Sequence, residues 1–458
     1  KLTAANLDLR FVHVWRQRRP DSPGEYLVPE LLLKRDPGEL KGIISQPLTP
    51  EVTTHLPAGA LRQFWVTVRV PEGTKPGEYQ GQLKLTGGGA TVPVPFRVRV
   101  LPLKLPPDPF VHSIYFHGSS VGLGWHGEKD MPREAWLERA RKQLADLRTH
   151  GLNAAESFTP VKITSKEGGY DFDLANLQQS LALHLEAGLK RWGIIELGYS
   201  TLDGQQLHPR LGAPFFKAFA ALTEQVQRLA KQGEWPPVAY YAVDEPMRKT
   251  KPEAMAYYGF EDPIEVCRQW FEAIHSGGGT STAAVYHSEN GGWDVLGPLC
   301  DVPIYSLGSI YPALNHDDLV RETQQSRTKQ AWYYWQCWLE NPLENRLLSG
   351  LYLCKSGLTG VMPWDYMGYD GDPYNDFDGS GKDMCLAYPS QEGPVPTLAW
   401  EAYREGVDDC RYWAAVKNEP GAQKILDGLS WSNSQNCVSL TAGDLQRLRE
   451  GLVELAGP

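Results

Sequence analysis

The feature that most constrains this fold is an alternation, between about residues 110 and 417, of short apolar runs with longer amphipathic stretches. Short apolar runs predict buried strands, and apolar residues at helical spacing predict surface helices. The predicted strands cover residues 111–117, 151–158, 190–198, 237–243, 281–287, 302–306, 329–337 and 358–366. The predicted helices cover residues 132–149, 174–187, 213–232, 262–275, 316–327, 343–356 and 397–417. Eight strands separated by helices indicate a (β/α)8 TIM-type barrel over residues 110–417.

Two further regions flank this alternation, so we expect a multidomain protein. Residues 1–105 alternate with period two and are broken by turns rich in Pro and Gly, which predicts an N-terminal β-sandwich domain. The Pro-rich residues 101–109 form the predicted linker. Residues 418–458 form a predicted C-terminal helical extension, a polar loop followed by a helix with Leu445, Leu448, Leu452 and Leu455 on one face.

Composition excludes several classes of function. The net charge is -10, which argues against nucleic-acid binding and against an anionic membrane surface. No apolar run approaches the roughly 18 residues that span a bilayer. The chain instead holds 15 Trp and 21 Tyr, and many of these lie close together late in the sequence. Aromatic rings near strand ends are suited to packing against sugar faces.

The seven cysteines and the first residue bear on the compartment. No two cysteines have CxxC spacing, so a zinc site is disfavoured and most are predicted to be buried thiols, with one disulfide as the alternative. The chain begins with Lys1. We therefore expect an exported, periplasmic or extracellular protein whose signal peptide has been removed, with the cytoplasm as the alternative. The oligomeric state stays open.

In a (β/α)8 barrel the catalytic groups lie at the carboxyl ends of the strands. The acids at predicted strand ends are Glu156, Glu196, Asp244, Glu245, Glu289 and Asp365. Two carboxylates at such a mouth satisfy the need of glycoside hydrolysis for a proton donor and for a group that stabilises positive charge at the anomeric carbon.

Asp244 and Glu245 stand out among these acids. They directly follow an apolar, aromatic strand that Pro246 ends. Adjacent carboxylates repel each other, so one should hold its proton to higher pH and the pair would supply an acid and an anion. The alternative is structural, because Asp at a strand–helix junction is often a helix cap and Glu in a first turn is favoured by the helix dipole.

Several segments resemble those of glycoside hydrolase family 123, the β-N-acetylgalactosaminidases, and its uncharacterised relatives. The segment VAYYAVDEP (238–246) resembles the family's Asp-Glu-Pro strand end. WYYWQCW and GVMPWDYM resemble its aromatic seventh and eighth strands. The segments RQFWVTVRVPEGTKPGEYQGQLKL and YPSQEGPVPTLAWEAYREGVDDCRYW resemble its preceding domain and the closing helix of the wider group. Together the resemblance covers most of residues 40–415.

The resemblance implies a retaining, substrate-assisted hydrolase of terminal β-linked N-acetylgalactosamine. In that mechanism the substrate's own 2-acetamido oxygen attacks the anomeric carbon and gives an oxazolinium intermediate. By resemblance, Asp244 orients the acetamido group, while Glu245 protonates the leaving oxygen and then activates water. The implied partner is a glycan or glycolipid that carries a 2-acetamido sugar, and no cofactor is implied.

Further side chains are candidates for contact with the sugar. The resemblance places aromatic groups around the sugar ring, and the predicted contacts are Tyr334, Trp335, Trp364, Tyr305 and Tyr241, with barrel core as the alternative for each. Polar candidates are His117 and His287 at strand ends, Asn153 near the start of the second strand, and Asp365 and Asp372 of the acidic segment, with Glu156 and Glu196 as acceptors of substrate hydroxyls. For Asn153 a buried turn amide is the favoured interpretation.

The acidic segment 365–383 invites a calcium interpretation, but it does not fit an EF-hand loop. Tyr374 occupies one acidic position of that template, and Cys385 occupies the position of its final Glu. We therefore predict a solvated acidic loop over the cleft and no metal. No nucleotide-binding glycine fingerprint follows a strand, so no nucleotide cofactor is indicated.

Two alternatives to this function stay open. One is a barrel glycosidase that acts on a different sugar with two separated carboxylates, Glu245 as the acid and Glu289 or Asp365 as its partner. The other is a non-catalytic carbohydrate-binding protein. The sequence leaves the sugar, the linkage and exo or endo action undecided.

Overall fold

The computed structural model describes ten stretches of the chain, and the account below is confined to them. They are residues 2–19, 24–118, 131–197, 200–233, 235–285, 293–307, 323–324, 326–337, 341–429 and 440–457.

The strands form six separate sheets. In chain order they are β1 (Leu7–Arg18), β2 (Glu25–Leu33), β3 (Phe64–Val68), β4 (Gly77–Gly87), β5 (Ala90–Val100), β6 (Val111–His112), β7 (Ala154–Phe158), β8 (Lys162–Lys166), β9 (Gly169–Asp173), β10 (Trp192–Glu196), β11 (Thr201–Leu202), β12 (Gln205–Gln206), β13 (Val238–Asp244), β14 (Thr280–Val285), β15 (Val302–Ser306), β16 (Trp332–Tyr334), β17 (Gly360–Val361), β18 (Met367–Gly368), β19 (Met384–Cys385), β20 (Ala387–Tyr388) and β21 (Val395–Pro396).

The helices lie mainly between and after the barrel strands. In chain order they are α1 (Arg133–Thr149), α2 (Ala175–Ala187), α3 (Ala213–Gln232), α4 (Lys251–Tyr258), α5 (Pro263–Ser276), α6 (Trp293–Leu296), α7 (Pro342–Ser349), α8 (Leu351–Ser356), α9 (Leu398–Val416), α10 (Pro420–Asp427) and α11 (Ala442–Leu455). Short 3-10 turns cover Ala4–Asn6, Pro209–Leu211 and Pro246–Arg248.

Eight parallel strands form the barrel, in the order β6-β17-β16-β15-β14-β13-β10-β7. Backbone bonds between the two end strands close it, from the amide of Asn153 to the carbonyl of His112 at 3.1 Å and from the amide of Glu156 to the carbonyl of Ile114 at 3.3 Å. Each of the eight strands lies within a run predicted from the sequence or overlaps one, so the barrel prediction is confirmed.

Side-chain alternation along these strands divides the core into two layers. One cluster fills the inside of the barrel, which we call the lumen, with residues Val111, Tyr115, Ala154, Ile194, Tyr241, Ala284, Val302, Ile304, Trp332, Tyr334 and Met362. Intervening residues such as Ala155, Ile195, Tyr240 and Tyr333 face outward and join the larger cluster beneath the helices. Successive residues of a strand point to opposite faces, so each strand supplies both layers.

Helix α3 shows why the outer layer forms where the sequence predicted it. Its buried residues include Phe215, Phe219, Leu222 and Val226, which recur at helical spacing along one face. The rings of Phe215 and Phe219 make edge contacts with Trp270 of α5, at centroid distances of 4.8 and 5.4 Å. This contact fixes α3 against α5 on the outside of the barrel.

The N-terminal region is antiparallel, as predicted, but it forms two separate sheets. Strands β2-β1-β3 form a three-stranded sheet, and β4 and β5 form a hairpin. The hairpin is largely exposed, with Val92 55% and Val94 37% accessible. The strands are therefore confirmed, while their packing into a sandwich and the domain boundary near residue 105 stay predictions.

Several smaller elements differ from the sequence analysis. Helices α4 and α10 and the small sheet β12-β11-β8-β9 were not predicted. The helix predicted over 316–327 falls mostly outside the described residues. Six cysteines are buried free thiols, as predicted, and Cys437 lies outside the described residues. In the described part of the chain, we find no helix with both the length and the apolar character needed to cross a membrane.

The acidic segment after β17 is a correction to the sequence analysis, which predicted a solvated loop over the cleft. Asp376 is 2% exposed and accepts the backbone amide of Arg18, while Asp372 accepts the amide of Gly42 at 2.8 Å. The Lys382 ammonium donates to the Gln17 side chain at 2.8 Å. The segment is thus held against the N-terminal region, because its carboxylates satisfy backbone donors there.

Candidate active site

A β-bulge at the end of β13 turns Asp244 toward the lumen. Tyr241 pairs with Thr282 and Asp244 pairs with Ala284, so β13 advances three residues while β14 advances two. Tyr241 and Ala284 belong to the lumen cluster. Without the extra residue, strand alternation would place Asp244 on the outer face; the bulge re-aims it inward.

Glu245 leaves the strand through a left-handed backbone conformation, with φ 44° and ψ 52°. A non-glycine residue seldom adopts this conformation, and such strain is concentrated at functional sites. The Glu245 amide donates to the carbonyl of Ala284 at 3.1 Å, which fixes the turn. The Glu245 side chain makes no capping bond to the 3-10 turn that follows, and the cap of α4 is Thr250. Helix capping therefore does not explain the acidic pair.

The two adjacent carboxylates have different hydrogen-bond partners. The Tyr241 hydroxyl donates to Asp244 Oδ1 at 2.9 Å, and the Tyr241 and Tyr115 hydroxyls lie 3.0 Å apart. Because Tyr241 gives its proton to Asp244, Tyr115 donates to Tyr241. Burial raises the pKa of both tyrosines well above the ordinary value, so both remain protonated donors. Asp244 is thus held by a relay of two phenols from inside the lumen.

Glu245 is held from the other side of the mouth. The Tyr334 hydroxyl donates to Glu245 Oε1, and the Arg248 guanidinium donates to Oε2 at 3.1 Å. The Lys249 ammonium donates to the backbone carbonyl of Asp244 at 2.9 Å. Each carboxylate therefore has its own anchor, which permits two roles for two neighbouring acids.

Electrostatics act on Asp244 in the way that the sequence analysis expected for one member of an adjacent pair. Burial among the mouth residues, and next the charge of Glu245, raise the pKa of Asp244 above the ordinary value, although the Tyr241 hydrogen bond opposes this. Asp244 nevertheless remains accessible from the mouth. The charge of the adjacent Glu245 is one cause of the raised pKa, as the sequence analysis expected, so Asp244 becomes an anion only at a pH above its ordinary range.

A second acidic group lines the mouth beside this pair. Its members are Glu156 of β7, Glu196 of β10, and His117 and Asp365, which follow β6 and β17. His117 Nδ1 lies 3.5 Å from Asp365 Oδ2. Burial lowers the pKa of His117, but the carboxylates of Asp365 and Glu196 outweigh burial and raise it above the ordinary value. The imidazole thus contacts Asp365 and also feels the charge of Glu196.

Aromatic rings form the remaining wall. Trp364 is 37% exposed, and its ring lies 5.0 Å from that of Tyr115 and 5.6 Å from that of His117. Tyr334 is buried in the lumen, and its ring makes an edge contact with Tyr115 at 6.5 Å. An accessible indole beside polar groups is a surface on which a sugar ring can pack.

The structure brings most of the predicted contact residues to one mouth. Asp244, Glu245, Tyr241, Tyr334, Trp364, Asp365 and His117 are the predicted residues that gather there, as the contacts above describe. The acidic pair and its aromatic neighbours come from four different strand ends, so their spacing along the sequence could not show that they lie together.

Four predicted contacts lie elsewhere. Asn153 precedes β7 at the opposite end of the barrel, where its amide bonds the carbonyl of Phe110 at 2.9 Å. Tyr305 is fully buried in the outer cluster. Trp335 also faces outward, where its indole donates to Asn345 at 3.0 Å. The Asp372 carboxylate accepts the backbone amide of Gly42, as described above. The side chains of Tyr305 and Trp335 alternate away from the lumen, so we reassign both to the core.

Sequence reasoning missed Tyr115, Arg248 and Lys249. Tyr115 had a signal, because it lies an even number of residues after Val111 on a predicted barrel strand and therefore shares its inward face. Arg248 and Lys249 follow the Asp-Glu-Pro motif after one intervening residue, but the direction of their side chains depends on the left-handed turn at Glu245. The predicted residues Glu289 and His287 lie outside the described residues. Across the described ranges, no group of three or more His, Cys, Asp or Glu side chains could hold a metal.

Fold and mouth together define a (β/α)8-type barrel with carboxylates gathered at the carboxyl ends of its strands. Residues 267–416 match the family described as "Glycoside hydrolase 123, catalytic domain". The match confirms the resemblance seen in the sequence and supports a glycoside hydrolase. It begins after Glu245, so the roles of Asp244 and Glu245 are not tested by it. A search of curated proteins found no match.

Solved structures with a similar course of the chain include three glycoside hydrolases. A family 39 enzyme from the gut symbiont Bacteroides cellulosilyticus is 13% identical, with TM-score 0.42, covering 89% of this chain and 79% of that one. A family 5 lichenase from a Caldicellulosiruptor species is 11% identical, with TM-score 0.41, covering 68% and 98%. A β-1,4-D-mannanase from Cryptopygus antarcticus is 11% identical, with TM-score 0.40, covering 66% and 90%.

Proposed function

We propose that this protein is a retaining β-N-acetylgalactosaminidase that acts by substrate assistance. The observation that carries the proposal is the adjacency of Asp244 and Glu245 at the barrel mouth, each oriented by a different phenol. Two neighbouring carboxylates suit neighbouring atoms of one sugar, the acetamido nitrogen and the glycosidic oxygen. The family match supports the reaction class, and the choice of sugar comes from the resemblance.

In the first step, the acetamido oxygen forms a bond to the anomeric carbon while the bond to the leaving oxygen breaks. Asp244 acts once it is ionised, at a pH above its raised pKa, and its carboxylate then accepts the acetamido N–H and increases the nucleophilicity of that oxygen. Glu245 gives its proton to the leaving oxygen. The product is an oxazolinium sugar, and Tyr241 keeps the acceptor oxygen of Asp244 aimed into the site.

In the second step, water attacks the anomeric carbon and the oxazolinium ring opens. Glu245, now a carboxylate, takes a proton from the water and returns to its starting state. Two displacements at one carbon retain the β configuration. Trp364 and Tyr115 supply the apolar surface against which the sugar ring packs.

The test is a panel of aryl β-glycosides of N-acetylgalactosamine, N-acetylglucosamine, galactose and glucose. We expect turnover of the acetamido sugars, with N-acetylgalactosamine preferred. Turnover of only the sugars that lack an acetamido group would overturn substrate assistance and favour two separated carboxylates, such as Glu245 with Asp365. Binding of every sugar without turnover would favour a carbohydrate-binding protein.

A second experiment addresses the division of labour. Asp244→Asn should abolish most turnover of acetamido substrates, whereas Asp171→Asn, at an exposed position of β9, serves as the matched control. An unchanged rate in Asp244→Asn would remove Asp244 from the mechanism.

A further inference from the structure

The carboxyl groups of Glu156 and Glu196 form a pair that the mechanism above does not use. Glu156 pairs in register with Ile194, and Glu196 pairs with both Phe158 and Tyr241. Ile194 and Tyr241 face the lumen, so both glutamates do so as well. Glu156 is fully buried, whereas Glu196 retains partial exposure toward the mouth. The pair thus has an inner and an outer member.

Their environment assigns the proton to the inner member. Burial and then the charge of Glu196 raise the pKa of Glu156 well above the ordinary value. Burial also raises the pKa of Glu196, to about 7, and the neighbouring Glu156 carboxyl opposes the rise. Glu156 therefore stays protonated behind Glu196. The negative charge of the pair falls on the outer carboxyl as Glu196 ionises near pH 7, and its oxygens then have lone pairs available to a ligand.

A purely structural role accounts poorly for such a pair. Burying two carboxyl groups is costly, and apolar residues of similar size would fill the lumen at lower cost. The groups that face Glu196 come from three other elements, namely Glu156 of β7, His117 after β6 and Asp244 of β13. Acids with perturbed pKa values beside a mouth are typical of functional sites.

We propose that Glu196 binds a ring hydroxyl of the sugar in this site and that Glu156 is the positioning residue behind it. A carboxylate that is only partly exposed to solvent forms a strong, charge-assisted hydrogen bond with a hydroxyl. The neighbouring Asp244, Glu245 and Asp365 repel an anionic group, so the substrate class is a neutral sugar with free ring hydroxyls, and uronic acids are disfavoured. This inference rests on the proposed function only in taking a sugar as the ligand.

The first test uses the unaltered enzyme and deoxy substrates. Aryl β-N-acetylgalactosaminides lacking the 3-, 4- or 6-hydroxyl are compared with the parent in KM and kcat. One of them should lose about tenfold or more in affinity, because it leaves the Glu196 carboxylate unpaired. Equal affinity for all three and the parent would overturn the proposal without any variant having to fold.

The second test pairs variants with the same substrates. Glu196→Gln should raise KM for the parent about tenfold or more, with a smaller change in kcat, and should show no further loss on the deoxy substrate that the unaltered enzyme rejects. Glu156→Gln should raise KM less and should displace the ionisation near pH 7 in the pH profile of KM. Glu167→Gln, at an exposed turn, is the matched control.

The outcomes separate this proposal from the proposed function. Turnover of acetamido sugars with Glu196→Gln behaving like Glu167→Gln overturns the role of Glu196 and leaves the hydrolase intact. If no acetamido sugar is turned over, binding of free N-acetylgalactosamine and its deoxy analogues is measured by calorimetry instead. A loss with one deoxy sugar that disappears in Glu196→Gln then supports the hydroxyl site although the proposed reaction has failed.

Discussion

The hydroxyl of Tyr241 donates to Oδ1 of Asp244 at 2.9 Å, from three residues earlier on the same strand. On a regular strand these two side chains would point to opposite faces, and only the bulge between them makes the contact. The Tyr115 hydroxyl, 3.0 Å from that of Tyr241, extends the contact into the lumen. A carboxylate held in this way has one oxygen fixed by the phenol, and the other oxygen is not used by that bond.

Tyr241→Phe should therefore lower kcat for acetamido substrates by roughly 10- to 100-fold, the effect of losing one charge-assisted hydrogen bond. The Tyr241 bond also lowers the pKa of Asp244, so its loss should move the acidic limb of the kcat profile to higher pH. Tyr79→Phe, on the N-terminal hairpin, is the control. Wild-type kcat and an unmoved acidic limb in Tyr241→Phe would show that the phenol does not orient Asp244.

Tyr334→Phe tests the anchor of the other acid. Without this donor, Glu245 retains its contact with Arg248, whose side chain is 53% exposed and hence a weak restraint. We expect kcat to fall by roughly tenfold, with little change in KM, because the bond acts on proton transfer rather than on sugar binding. A change in KM alone would instead assign Tyr334 to substrate contact. Steady-state kinetics with aryl leaving groups of graded acidity measure the difference, since poor leaving groups should suffer most.

The sequence predicted the barrel because apolar periodicity is a local property that each strand and helix carries in its own residues. Helix α3 agrees with the prediction at both ends, and β15 does likewise. The Asp-Glu-Pro strand end was predictable for the same reason, because neighbouring residues carry the whole motif. The sequence did not predict to which face of a strand each side chain points. Tyr334 and Trp335 are neighbours in an aromatic run, yet Tyr334 enters the lumen and Trp335 packs beneath the helices. A shift of one residue in register exchanges the two faces, and composition does not specify register.

The bulge at Asp244 and the turn at Glu245 illustrate the same limit for the site. Both are backbone irregularities that depend on pairing with β14, a strand far along the chain. The acidic segment near Asp376 was misjudged for a related reason, since its carboxylates bind amides of the N-terminal sheet, contacts that only the tertiary fold creates.

Stability should fall as pH rises from about 4.5 toward 8, in part because of Glu30. This residue is fully buried beneath the N-terminal sheet, and burial raises its pKa from 4.5 to about 8 although Trp15 donates to it. The folded state therefore binds the Glu30 proton more tightly than the unfolded chain. Its contribution to stability is full below the unfolded pKa and is lost as pH rises through the folded pKa.

Glu30→Gln keeps an acceptor for the Trp15 indole and removes the titration. The free energy of unfolding, measured in denaturant at intervals between pH 4.5 and 8, should depend less steeply on pH in this variant than in the wild type. Identical slopes for the two proteins would contradict a buried, protonated Glu30. The exposed Glu167→Gln variant controls for the loss of one acidic group.

Trp364 and Trp335 were both predicted to contact sugar, and truncating each should have opposite consequences. Trp364 is 37% exposed at the mouth, so Trp364→Ala should raise KM by roughly 3- to 10-fold and leave the free energy of unfolding nearly unchanged. Trp335 is 5% exposed and stacks on Tyr403 at 6.2 Å. Trp335→Ala should cost about 3–5 kcal/mol of stability through the cavity it leaves, with KM close to wild type at temperatures where the variant is folded. Denaturant unfolding and kinetics on the same two variants decide the matter, and a stable Trp335→Ala with a raised KM would return that residue to the sugar site.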